Sequence, residues 1–165
     1  MAIKDAFIAE LKHESGLTKK MLERVPIEKA SWKPHEKSTT LGRLATHIAE
    51  IPHWVSRIIT IDDFDFMVQE FSSHTAASRE ELMTIFQDKL NKAIADLETM
   101  NDDDFDKKWV IRRGEQIIRE TPKKVAIRGW CLSHFIHHRG QLSVYLRLLD
   151  VPVPGMYGPS ADEKM

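Results

Sequence analysis

Four stretches of roughly twenty residues place their apolar side chains three or four positions apart, the spacing of one helix face. The first runs from about Ile3 to Arg24 on Phe7, Ile8, Leu11, Leu17, Met21 and Leu22, with Pro26 just beyond its end. Gly16 inside it argues against one unbroken helix. The second follows an N-cap at Ser38, Thr39 or Thr40 and continues to about Ile59 on Leu41, Leu44, Ala45, Ile48, Val55 and Ile59. Pro52 removes a backbone donor inside it, so a kink near Ile48 is expected. The third opens with Ser78-Arg79-Glu80-Glu81, a serine followed three residues later by a glutamate, which reads as a capping box. Its stripe is Leu82, Ile85, Phe86, Leu90, Ile94 and Leu97. The fourth opens with Thr121-Pro122 as N-cap and N1 proline and runs to about Leu149.

Four such stripes are the ingredients of a four-helix bundle, so the expected class is all-α, a single domain over residues 1–165. Two features complicate simple up-down connectivity. About 18 residues separate the second and third helices, longer than ordinary connections. Between Asp102 and Glu120, Trp109-Val110-Ile111, Arg112-Arg113-Gly114-Glu115 and Gln116-Ile117-Ile118 read as a short extended hairpin before the last helix. A two-stranded ribbon is marginal alone and must lean on helices. The tail, Val151 to Pro159, carries too much proline and glycine for a helix.

Composition narrows the partners. Lys and Arg total 24 and Asp and Glu 25, a net charge of −1, so there is no bulk electrostatic case for nucleic acid or an anionic membrane. Lys19-Lys20, Arg112-Arg113 and Lys123-Lys124 are scattered pairs, as on solvated faces. No stretch approaches 18 uninterrupted apolar residues, and the N-terminus meets Asp5 without an apolar run. One cysteine, Cys131, excludes a disulfide framework and fits a reducing compartment, so the expected location is cytoplasmic.

The histidines carry the chemistry. Three of eight fall in His134-Phe135-Ile136-His137-His138. On a helix His134 and His138 are i and i+4, one turn apart on one face, where two imidazoles can converge on one transition metal. At 100° per residue Ile127, Trp130, Leu142, Tyr145 and Leu148 fall within about 80° of His134. The pair therefore sits mid-stripe, and His137 falls on the flank. A lone histidine on an apolar face is most often a hydrogen-bonded core residue. Two at this spacing are harder to satisfy without a shared partner, and both readings stand on the pattern alone.

A site needs a third ligand. On the second helix His47 falls at the edge of the apolar face, whereas Glu50 and His53 point to solvent; His13, His35 and His74 read as surface. Three histidines leave coordination positions open, as catalytic metals require. Zn, Ni, Co and Fe all accept imidazole. Cys131, near the histidine face, is either a soft fourth ligand or a small buried hydrophobe. Gln141 faces the histidines and either orients a ligand or packs; Tyr145 either donates a proton in the pocket or packs; Arg139 points away, toward a structural or dimer-facing ion pair.

His47 within Leu44-Ala45-Thr46-His47-Ile48-Ala49-Glu50, followed by His134-Phe135-Ile136-His137-His138-Arg139-Gly140-Gln141, resembles the DinB/YfiT-like superfamily. Trp32-Lys33-Pro34 and Tyr157-Gly158-Pro159-Ser160-Ala161-Asp162-Glu163 extend the resemblance over essentially the whole chain. It implies a four-helix bundle with one long crossover, usually a homodimer, holding a divalent metal (Zn, Ni or Fe) on His47, His134 and His138. It further implies a metal-dependent thiol S-transferase or isomerase, using glutathione, bacillithiol or mycothiol on a small electrophile. The alternatives are a metal-dependent hydrolase, for which Glu50 points the wrong way, and a non-catalytic metal-binding dimeric bundle. A di-iron carboxylate bundle lacks its Glu-x-x-His pairs, since the one such spacing near these histidines, Glu50 to His53, points to solvent and the fourth helix has none.

Overall fold

The computed structural model describes residues 2–69 and 73–163. Helix α1, Ile3–Leu22, is unbroken; Gly16 lies on its exposed side, where nothing comes within 4 Å of a Cβ position. The second stripe is two helices, α2 (Leu41–Glu50) and α3 (His53–Thr60), meeting at Ile51-Pro52. Thr40 is the N-cap of α2, its hydroxyl accepting from the Arg43 amide at 3.3 Å. Helix α4, Arg79–Glu98, is capped by Ser78, whose hydroxyl accepts from the Glu81 amide at 3.0 Å. Glu81 reaches back one residue further than the capping box requires, to the Ala77 amide at 2.7 Å.

The last helical rod begins with α5, Lys123–Ile127, passes through a π turn at Arg128–Ser133, and continues as α6, His134–Leu148. Pro122 caps it rather than occupying its first turn. Asp150, at φ +57°, takes the left-handed position that closes α6, and the Val151 amide returns to the Leu146 carbonyl at 3.0 Å. Helix α6 packs on α1 and α2, while α4 packs on α1, α2 and α3.

The all-α class is overturned by a three-stranded mixed sheet, so the fold is mixed α and β, though mostly helical. The expected hairpin is present as β2 (Lys108–Arg113) and β3 (Gln116–Pro122), turning at Gly114 with φ +59°. What changes the class is β1, Asp63–Asp65, which pairs in parallel with β2 from within the crossover expected to be loop. Asp-Phe-Asp is too short to show a period of two. It forms because Phe64, wholly buried, joins Trp109 and Ile111 on the inward face of the sheet. Asp65 locks the corner: its carboxylate accepts from the Met67 and Gly114 amides at 2.8 and 2.9 Å. The sheet thus leans on the helices through the same hydrophobic cluster that fills the space between them.

Candidate metal centre

Helices α2 and α6 pack against each other and carry His47, His134 and His138 to one point. The His134 Nε2 lies 2.8 Å from His138 Nε2 and 3.3 Å from His47 Nε2. All three ring nitrogens lie within 4.8 Å of one another, and all three residues are half-buried.

The far side of two rings fixes their tautomers. His134 Nδ1 lies 3.2 Å from the Trp130 carbonyl, and His138 Nδ1 lies 2.7 Å from Gln141 Oε1. Both oxygens only accept, so each Nδ1 carries the proton and each Nε2 presents a lone pair. Two bare lone pairs at 2.8 Å repel, and a cation between them relieves the conflict. The spacing suits one: metal–nitrogen bonds near 2.05 Å set neighbouring nitrogens about 2.9 Å apart at right angles and about 3.3 Å apart in a tetrahedron. The cluster is compatible with a divalent metal ion.

Burial sets the charge state. It pushes the His47 imidazole down from 6.5 to about 4, and the neighbouring His138, His134 and Arg43 push the same way. Burial also lowers His134, against the raising effect of the Trp130 carbonyl, and lowers His138, against that of Gln141. Three neutral imidazoles at neutral pH are three competent ligands.

The other candidates fall elsewhere. Cys131 is outside the nitrogen cluster; it is wholly buried, and burial pushes its thiol up to about 12, the state of an inert hydrophobe. Tyr145 turns toward the segment before α2, its hydroxyl donating to the Thr39 carbonyl at 3.2 Å and its ring meeting Trp32 edge-on at 5.6 Å. Gln141 is joined to His138 as described. Arg139 is buried away from the cluster, ion-paired to Glu14 at 2.7 Å.

Two residues expected at the surface are not there. Glu50 is half-buried and ion-paired to Arg43, and this pair brackets His47 on α2 at i−4 and i+3. Their spacing was visible in the sequence: Glu50 lies about 60° from His47 on a helical wheel. His53 is half-buried with its Nδ1 enclosed and unbonded, and burial next to Arg57 lowers its pKa to about 4. It is the first residue of α3, just past the Ile51-Pro52 break that one wheel through both helices ignores. The role of the Trp130 carbonyl had no sequence signal, since a backbone oxygen is common to all residues.

The sequence model of the DinB family matches residues 1–164. The chain belongs to the DinB family. Among relatives of this DinB-family chain, the uncharacterized protein YrdA of Bacillus subtilis (strain 168) is 24% identical over 159 residues, covering 96% of this chain and 90% of the relative. Two solved structures share the fold. A DinB-like protein from Bacillus cereus ATCC 10987 superposes with a TM-score of 0.75 at 23% identity, over 94% of this chain and 98% of its own. The DinB-like protein YjoA from Bacillus subtilis gives 0.67 at 18%, over 96% and 98%.

Proposed function

We propose that this DinB-family chain is a metal-dependent enzyme of thiol chemistry, an S-transferase or isomerase acting on a small electrophile. One divalent transition metal is held by His47, His134 and His138. The observation that carries the reading is the convergence of three neutral imidazoles, two with Nδ1 tied back so that Nε2 faces inward. A metal at this centre supplies a lowered thiol pKa, so a low-molecular-weight thiol of the glutathione, bacillithiol or mycothiol kind reacts at neutral pH. In a transfer the sulfur would bond to the electrophilic carbon as the leaving group departs with its electron pair and the thiol proton passes to solvent; in an isomerisation the same carbon–sulfur bond would break again and return the thiol unchanged.

The protein's own contributions are positional. Gln141 and the Trp130 carbonyl fix two rings. Arg43 and Glu50 pair with each other beside the third. The hydrolase reading needs a carboxylate free to accept a proton. Glu50 is near enough to His47 to be considered, but its ion pair with Arg43 keeps it from that role. A closed structural site would need a fourth ligand, and Cys131 does not supply one.

No helix among the described residues is long and apolar enough to cross a membrane. The single buried thiol suits a reducing cytoplasm. The outer side of α6 supports a homodimer: Ile136, Val144 and Leu148 are exposed, and Gly140 between them leaves open space.

Metal content by mass spectrometry on purified, untagged protein tests the reading, beside His134→Ala/His138→Ala. One equivalent in the unchanged protein and none in the variant is expected, followed by turnover in a panel of thiols and electrophiles. Protein that arrives metal-free and takes up neither Zn²⁺ nor Ni²⁺ would sink it.

A further inference from the structure

The three histidines are not equivalent. His134 and His138 each have an oxygen behind the ring, at 3.2 and 2.7 Å; His47 has no hydrogen bond at Nδ1 among the described residues. The source of the first oxygen is the π turn. In a regular α-helix the Trp130 carbonyl would receive the His134 amide. Here the His134 amide goes to Cys131 instead, and the imidazole of His134 takes the Trp130 oxygen. Wide π turns of this sort concentrate at functional sites. Gln141, three residues after His138 and exposed on the same helix, does the equivalent work from its side chain.

From this asymmetry we infer that the centre is built as a locked pair plus a closing ligand, with Gln141 and the π turn as its positioning elements. His134 and His138 are held as Nε2 donors on one helix before any ion arrives. His47, on another helix, carries its proton on Nε2 in the metal-free protein and donates it toward His134 at 3.3 Å. On metal uptake His47 loses the Nε2 proton to solvent and takes one from solvent at Nδ1, so the count of protons is unchanged. Two of the three nitrogens are therefore pre-set on α6, and a bond from His47 to the same ion would tie α2 to α6. This rests on the metal reading above and adds the groups that pre-set two of its three ligands.

Two measurements test it. Nitrogen-15 imidazole spectra of chelator-treated protein at pH 8 should show His134 and His138 fixed with the proton on Nδ1, and His47 with it on Nε2. Gln141→Leu should release His138 alone, and Gln141→Glu, which keeps an accepting oxygen, should restore the lock. In parallel, Co²⁺ titration followed by visible absorption should give one equivalent for the unchanged protein. Gln141→Leu should bind about 10–100-fold more weakly, with recovery in Gln141→Glu. His47→Ala should still take up one equivalent, weakly, with the α6 pair unchanged in its spectra. Identical tautomers at all three rings, undiminished binding in Gln141→Leu, or complete loss of uptake in His47→Ala would each overturn the inference. Failure of the unchanged protein to bind Co²⁺ would instead overturn the metal reading, while the spectra still decide the lock.

Discussion

The Arg139–Glu14 ion pair is buried on both sides, which makes it costly to disturb. Arg139 is 2% and Glu14 5% exposed, and their charges meet at 2.7 Å. The guanidinium also donates to the Glu14 carbonyl at 3.0 Å, the Thr18 hydroxyl at 3.1 Å and the Tyr157 hydroxyl at 2.6 Å. Tyr157 in turn donates to Glu14 at 2.8 Å, and burial together with that carboxylate raises its pKa. Removing one partner leaves an uncompensated buried charge, at about 3–5 kcal/mol. Arg139→Met and Glu14→Gln should therefore each destabilise by roughly that amount. With a urea m-value near 2 kcal/mol/M, the unfolding midpoint falls by about 1.5–2.5 M in each. The double variant removes both charges, so it should lose less than the sum, with a coupling of about 2–4 kcal/mol. Urea melts of the four proteins measure this directly. Single losses below about 1 kcal/mol, or losses that simply add, would refute the view that this is a closed buried pair.

Acidification should destabilise the metal-free protein between pH 6.5 and 4. His47 and His53 sit at about 4 when folded against 6.5 when unfolded, so in that window the unfolded chain binds protons the folded one lacks, and stability is complete only above pH 6.5. Allowing for partial exposure, each contributes about 1–2 kcal/mol, and urea midpoints for His53→Gln should fall less steeply with acid than those of the unchanged protein. Zinc at about 100 times its dissociation constant should add about 2.7 kcal/mol. That raises Tm by about 5–10 °C, an effect that His134→Ala/His138→Ala should abolish in calorimetry. Light scattering should give a dimer mass for the unchanged protein and a monomer mass for Val144→Glu; a monomeric unchanged protein, or a variant still dimeric, would remove the α6 interface.

The parts of the fold legible in the sequence are those whose signal is local. The Ser78 cap, the hairpin around Gly114 and the Pro52 break each follow from a few adjacent residues. The sheet was not legible because β1 exists only by pairing with β2, 47 positions later by register, Asp63 opposite Val110. Three residues with one apolar side chain carry no period, and only burial of Phe64 against Trp54 and Trp109 makes them a strand. The same limit governed the site. His134 and His138 announce themselves by spacing on one helix, whereas the placements of His53 and Glu50 depend on how Pro52 divides α2 from α3 and on Arg43 as a partner.

The run His138-Arg139-Gly140-Gln141 shows why four consecutive residues are fixed together. At about 100° per residue they point in four directions from one turn of α6. His138 faces His134 and His47. Arg139 enters the seam with α1 and, through Tyr157, pins the tail after α6. Gly140 is open on the outside, where a Cβ would meet nothing within 4 Å among the described residues. Gln141 returns to brace His138 from behind. A shift of one residue anywhere in the preceding helix would turn all four at once, moving the ligand out of the site and a cation into it. The π turn lies immediately upstream, so the centre depends on the register of the helix as much as on the identity of its ligands.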